Sequence, residues 1–177
     1  MTSKRIVVGI GGGIAAYKSA TLVSRLIQQG HQVSAVLTSG ASHFIGEATL
    51  LALCGRPPVS NTYDPRFPLG AHIELAESAD ALIIAPATAR ILASCAQGLA
   101  DDLLATLYLA VECPVLMAPA MSSSMWAKPA VERNVDMLKR DGVHFVGPAE
   151  GWLSCRKVGI GRMAEPEDIF EALTGIL

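Results

Sequence analysis

His72 and Cys155 are the side chains of this 177-residue sequence whose surroundings best suit proton chemistry. His72 stands in GAHIELAESAD, just after the Pro- and Gly-bearing loop YDPRFPLGA, so it opens a short amphipathic segment at a loop edge. A neutral imidazole there can accept a proton near physiological pH, although a lone histidine is more often structural or exposed. Cys155 lies in GWLSCRKVGIGRM, with Arg156 and Lys157 beside it, and neighbouring cations favour the reactive form of a thiol. Cys54, Cys95 and Cys113 sit among apolar neighbours and read as small core residues. His31, His43 and His144 have weaker claims, lying before a strand, within a helix and at the start of a buried strand. Ser122, Ser123 and Ser124 follow a strand end in APAMSSSMWAKP, where one can cap a helix and another face a ligand. No G-x-S-x-G elbow accompanies them, so hydrolase chemistry has little support. No C-x-x-C pair occurs either, which argues against a zinc site and a disulfide framework.

The stretch GIGGGIAAYK, Gly9 to Lys18, follows the β-branched run Ile6-Val7-Val8 and precedes helical spacing. Glycines where strand gives way to helix let a phosphate approach the backbone closely. Gly11, Gly13 and Ala16 satisfy G-x-G-x-x-A, but the end of the second strand carries Thr38-Ser39-Gly40 in place of the acid that a dinucleotide ribose needs. No G-K-[ST] follows, which excludes a P-loop. A mononucleotide fits best, with flavin mononucleotide (FMN) the leading candidate and an NAD(P) enzyme the alternative.

These residues need a scaffold, and the apolar pattern supplies one. Ile6–Gly9, Val33–Leu37, Ala81–Ala85, Pro114–Met117 and Val143–Val146 read as buried strands. Between them, helices are expected at Ile14–Gln29, Ala41–Leu53, Ala87–Gln97 with Asp101–Ala110, and Pro129–Arg140, and a last one at Pro166–Leu177. The alternation predicts an α/β fold, a single domain over residues 1–177 with an open parallel sheet, doubly wound, in a Rossmann- or flavodoxin-like three-layer sandwich. The strand ends GIGGG, LTSG, APATA, APAM and VGPAEGW then form one small-residue rim. A composition 51% apolar and 17% charged, with a net charge of -2, gives no basic field for nucleic acid. The apolar runs are too short to span a membrane, and no secretory signal is read at the start, so a cytoplasmic protein with a small-molecule substrate is expected.

Taken in order, GGIAAYK, AHIELAESAD, IIAPATA, GLADDLL, PAMSSSMW and GIGRMAEP resemble the flavin-dependent cysteine decarboxylases, from about Arg5 to Ile169. The resemblance implies FMN held by Gly12, Gly13 and Ile14, by Thr38 and Ser39, and by Thr88 and Ala89. It further implies His72 as active-site base, Cys155 as proton donor, Ser122 and Met163 as substrate contacts, and no metal. The implied reaction is decarboxylation of 4'-phosphopantothenoylcysteine to 4'-phosphopantetheine in coenzyme A biosynthesis. Its alternatives are a C-terminal peptidyl cysteine or another cysteine-like acid as substrate, or a non-catalytic flavin-binding relative. A homotrimer or trimer-built dodecamer, with flavin at a subunit interface, is implied as well. Four departures from the family pattern stand out: Ser122 replaces an asparagine, Arg90 stands where a smaller polar or acidic side chain is usual, Asp101 where asparagine is common, and Ser154-Cys155-Arg156-Lys157 replaces the usual A-C-G-D. Serine has a shorter reach and one donor fewer, a loss of about 1–3 kcal/mol if the contact fails.

Overall fold

The computed structural model describes residues 2–177. Strands β1 (Arg5–Ile10), β2 (Gln32–Leu37), β3 (Ala81–Ala87), β4 (Val115–Pro119) and β5 (His144–Phe145) form one parallel sheet in the order β2-β1-β3-β4-β5. Helices α1 (Ala16–Gln28), α2 (Glu47–Cys54), α3 (Ala71–Ser78), α4 (Ala89–Ala96), α5 (Leu103–Ala110), α6 (Ser123–Trp126) and α7 (Pro129–Arg140) connect them, and α8 (Pro166–Ile176) comes last. Beyond β5 a separate antiparallel hairpin pairs β6 (Ala149–Trp152) with β7 (Val158–Arg162).

Successive side chains of a strand point to opposite faces, and in β1 both sets are apolar. Ile6, Val8 and Ile10 pack with Leu22 and Leu26 of α1, Leu50 of α2 and Leu173 of α8. Val7 joins the opposite cluster with Leu75 of α3, Leu92 of α4, Leu107 of α5 and Leu138 of α7. Both faces are therefore covered, which explains near-continuous apolar strands; each fully buried Leu or Ile contributes about 1.5–3 kcal/mol. Gly9 has a packing reason of its own, since a Cβ there would overlap the side chain of Leu104. A larger residue would force the Leu104 side chain of α5 to shift.

This is the doubly wound, flavodoxin-like sheet expected, with its strand order reversing between β1 and β3. Three expectations are corrected. The Ala41–Leu53 helix is broken into a single 3-10 turn at Ala41–His43 and α2, because Gly46 is extended at φ -78° and ψ 145°. The fifth strand is a two-residue edge, not a buried one: His144 is exposed and Phe145 half-buried, as an edge with one neighbour allows. The segment around Cys155, expected as a glycine-rich loop, is the hairpin.

Candidate functional site

A cavity of about 650 Å³ opens over the carboxyl ends of β1, β3 and β4, a volume typical of cofactor and small-ligand sites. Gly12 and Gly13 border it after β1, Thr88 and Ala89 after β3, Ser122 after β4, and Cys155 from the hairpin. Ile14 and Met163 also line it.

The glycine turn is shaped by close approach. A Cβ on Gly12 would lie 2.6 Å from the carbonyl carbon of Gly40, so the first two rim loops touch through their backbones. Among the described residues the amides of Gly12, Gly13 and Ile14 donate no hydrogen bond within the chain, while the Gly13 carbonyl accepts from Ala16. They are the unsatisfied donors that precede a helix, at the positive end of the 13-residue α1. A row of free amides beside a cavity of this size fits the phosphate of a mononucleotide. Thr88 caps α4 and its hydroxyl faces the Ile91 amide at 3.5 Å, leaving the loop after β3 held in place at the cavity wall.

The second loop contributes differently. Thr38 is buried and its hydroxyl donates to the Ile10 carbonyl at 3.2 Å; Ser39 is exposed, and its carbonyl accepts from the Ser42 hydroxyl at 2.8 Å. Neither lines the cavity. His72 does not line it either: it sits in the first turn of α3, with Nδ1 buried and without a hydrogen-bond partner among the described residues. Met163 is 1% exposed, with its side chain in the core cluster and its carbonyl held by the Lys18 ammonium at 3.2 Å. Ser122 stands at the N-cap position of α6, but its hydroxyl meets that of Ser124 at 3.2 Å and makes no cap bond.

Cys155 is at the apex of the hairpin. The turn is closed by the Leu153 amide donating to Lys157 O at 2.8 Å and the Arg156 amide donating to Leu153 O at 2.9 Å, while Leu153 itself is buried. Arg156 adopts φ 63°, a left-handed conformation that disfavours a non-glycine residue by about 1–2 kcal/mol. The exposed thiol thus projects from a tight turn onto the cavity. The other cysteines behave as core groups: burial pushes the thiols of Cys54 and Cys113 up, and burial followed by Asp102 and Asp101 pushes Cys95 to about 12.

Two charged clusters were not legible in advance. Arg90, in the first turn of α4, donates to Asp102 at 2.9 Å and Asp101 at 2.7 Å, and Asp102 also caps α5 through the Ala105 amide. A cation is unfavourable at a helix start, and these carboxylates offset it; with Arg90 half exposed the pairs are each worth at most about 1 kcal/mol. The second cluster joins Lys18, Arg162 and Glu165 at the cavity wall. The Lys18 hydrogen bond holds the Glu165 carboxyl below the usual range.

Large apolar side chains crowd the mouth of the cavity, Ile14 and Tyr17 from one side and Met125 and Trp152 from the other, each substantially exposed. No helix of the described residues is long and apolar enough to cross a membrane.

The profile of the Flavoprotein family matches residues 1–177. The coenzyme A biosynthesis bifunctional protein CoaBC of Bacillus subtilis is 41% identical over 170 residues, covering 96% of this chain and 42% of that protein. The chain thus spans about 42% of the length of that curated relative. Among solved structures, the FMN-dependent cysteine decarboxylase SpaF is 33% identical with a TM-score of 0.82, covering 96% of this chain and 97% of that one. A cysteine-to-serine mutant of PPC decarboxylase complexed with pantothenoylaminoethenethiol is 29% identical with a TM-score of 0.85, covering 98% and 97%.

Proposed function

Because the chain belongs to the Flavoprotein family, we propose that its cavity holds FMN and that it decarboxylates 4'-phosphopantothenoylcysteine to 4'-phosphopantetheine, a step of coenzyme A biosynthesis. The observation that carries this reading is a single cavity with free amides on one wall and a thiol-bearing hairpin on the other. The similarity to CoaBC and to PPC decarboxylase supports the substrate.

Gly12, Gly13 and Ile14 would hold the phosphate, Thr88 and Ala89 would border the ring, and Thr38 and Ser39 would support the glycine turn from the second loop. FMN, when bound, supplies a two-electron acceptor for the substrate's CH2–SH group and gives the pair back after carbon dioxide has left. The protein moves protons and orients the acid. His72 takes the substrate's proton as the sulfur-bearing carbon is oxidised to the thioaldehyde level. Ser122 donates to the carboxylate, and Met163 walls its site. Carbon dioxide then departs because the electron pair left behind delocalises onto sulfur as an enethiolate. Cys155 returns a proton to carbon as the two electrons come back, giving the saturated thiol.

His72 borders no part of the cavity within one chain, so we assign it to the cavity of a neighbouring copy in a homotrimer or trimer-built dodecamer. The exposed Ile14, Tyr17, Met125 and Trp152 around the mouth support a site closed by a second surface. We further read residues 1–177 as one flavoprotein domain working in the cytoplasm, where its free cysteines stay reduced.

The FMN-loaded protein should process 4'-phosphopantothenoylcysteine with a kcat/KM at least about tenfold above that for a peptide ending in cysteine, equivalent to about 1.4 kcal/mol in the transition state. Carbon dioxide release from each acid measures it. A reversed preference would reassign the substrate to peptides, as the serine at position 122 allows.

A further inference from the structure

Lys18 is only 7% exposed, although a lysine on an amphipathic helix ordinarily reaches solvent. It lies in the first turn of α1, just after the glycine turn. Its ammonium donates to the Met163 carbonyl at 3.2 Å and to Glu165 Oε1 at 2.8 Å, partners 145 and 147 residues further along the chain. Arg162 reaches the same carboxylate oxygen at 3.2 Å. Glu165 is fixed a second time as the N-cap of α8, in a reciprocal capping box with Asp168. A buried ammonium is tolerated only when strong acceptors surround it, and an apolar side chain would fill the same space without that demand. The charge is therefore explained by what it holds.

What it holds is the root of the hairpin. β7 runs from the Cys155 turn to Arg162, and Met163 and Glu165 follow directly. Along β7 the Gly161 carbonyl accepts from the Met121 amide at 3.0 Å, and Gly159 and Gly161 press so closely on Met121–Ser123 that a Cβ on either would overlap that loop. The Met121–Gly161 bond holds β7 along its length, and the Lys18 ammonium holds the residues that follow it.

We propose that Lys18 is a positioning residue: through Met163 and Glu165 it ties the hairpin root to the helix behind the glycine turn and so sets where the Cys155 thiol stands over the cavity. The inference rests on the reading that Cys155 returns the last proton. In that step Sγ–H breaks, leaving the Cys155 thiolate, and its proton forms one C–H bond, while FMN, when bound, would supply the second hydrogen together with the two electrons as a hydride. Misplacement of a reacting group by about 1 Å can slow its step about 10²-fold. A loosened root would then leave the enethiol to escape before it is protonated.

The test compares Lys18→Met, Lys18→Arg and Glu165→Gln. In the flavin-free protein, amide hydrogen exchange over residues 149–162 should quicken about tenfold in Lys18→Met, while β1 to β4 keep native rates. In the loaded enzyme the ratio of enethiol to saturated thiol should rise about tenfold in Lys18→Met, rise less in Glu165→Gln, and return toward native in Lys18→Arg. That ratio does not depend on how much enzyme is folded, so general destabilisation leaves it unmoved. Native exchange in the hairpin, or a fall of both products at the native ratio, would overturn the proposal. A native thiol yield from Cys155→Ser would overturn the underlying role of Cys155 instead, and the anchor's catalytic meaning with it.

Discussion

His72→Asn is expected to keep FMN bound and to lose carbon dioxide release by about 10²–10⁴-fold, the usual worth of a positioned general base. Asparagine keeps an amide near the Nδ1 position but offers no basic nitrogen. The flavin should stay because the free amides of Gly12, Gly13 and Ile14, which would hold its phosphate, are untouched by the exchange. Gly70, the N-cap of α3, sits at φ 103°, a backbone conformation that favours glycine, and a Cβ there would make an ordinary 3.4 Å contact with His72 Cε1. Its Nδ1 is buried within the chain and has no hydrogen-bond partner among the described residues. Co-assembly with Cys155→Ser chains extends the test. If His72 serves a neighbour's cavity, some sites in mixed oligomers combine a native imidazole with a native thiol, and saturated thiol reappears. If both act within one chain, mixing yields enethiol alone. Unchanged turnover in His72→Asn would remove this residue from the reaction.

Cys155→Ser should separate the two halves of the chemistry. Carbon dioxide should still be released, while the enethiol accumulates and is detected by its ultraviolet absorption and by a mass two hydrogens short of the normal product. A hydroxyl is a far weaker acid than a thiol, so return of the proton should slow by about 10²–10⁴-fold. The hairpin should survive the exchange, since its turn is closed by backbone bonds between Leu153, Arg156 and Lys157 and the Cys155 side chain is exposed. Normal yield of the saturated thiol would dismiss Cys155 as the donor.

The sheet was legible because each buried strand is apolar on both faces, and the last two long helices because Pro129 and Pro166 mark their first turns. The hairpin was not, and its composition explains why. Val158-Gly159-Ile160-Gly161 alternates with period two, as a strand should, but the glycines form the face that docks while Val158 and Ile160 are exposed. Apolar-in, polar-out patterning therefore fails there, and glycine reads as loop. The break before α2 had a visible signal in Gly46, which the helical spacing on both sides obscured.

For the site, the glycine turn, the loop after β3, Ser122, Met163 and Cys155 all fall around one cavity, because strand ends in a doubly wound sheet converge on one edge. Thr38, Ser39 and His72 lie outside it for three-dimensional reasons. The Thr38 hydroxyl is drawn to a main-chain carbonyl, the second loop meets the first through backbone alone, and α3 starts after a loop whose course no local pattern determines. Lys18 was missed for a similar reason: its carboxylate partner is 147 residues away, and by helical spacing alone it looks solvated.

The most direct measurement is the mass of the product made by the purified, FMN-loaded protein from 4'-phosphopantothenoylcysteine. The account predicts a yellow protein that converts the acid to 4'-phosphopantetheine, lighter by one carbon dioxide. A protein that binds FMN and stays folded and assembled, yet returns the acid and the C-terminal peptidyl cysteine unchanged, would contradict it.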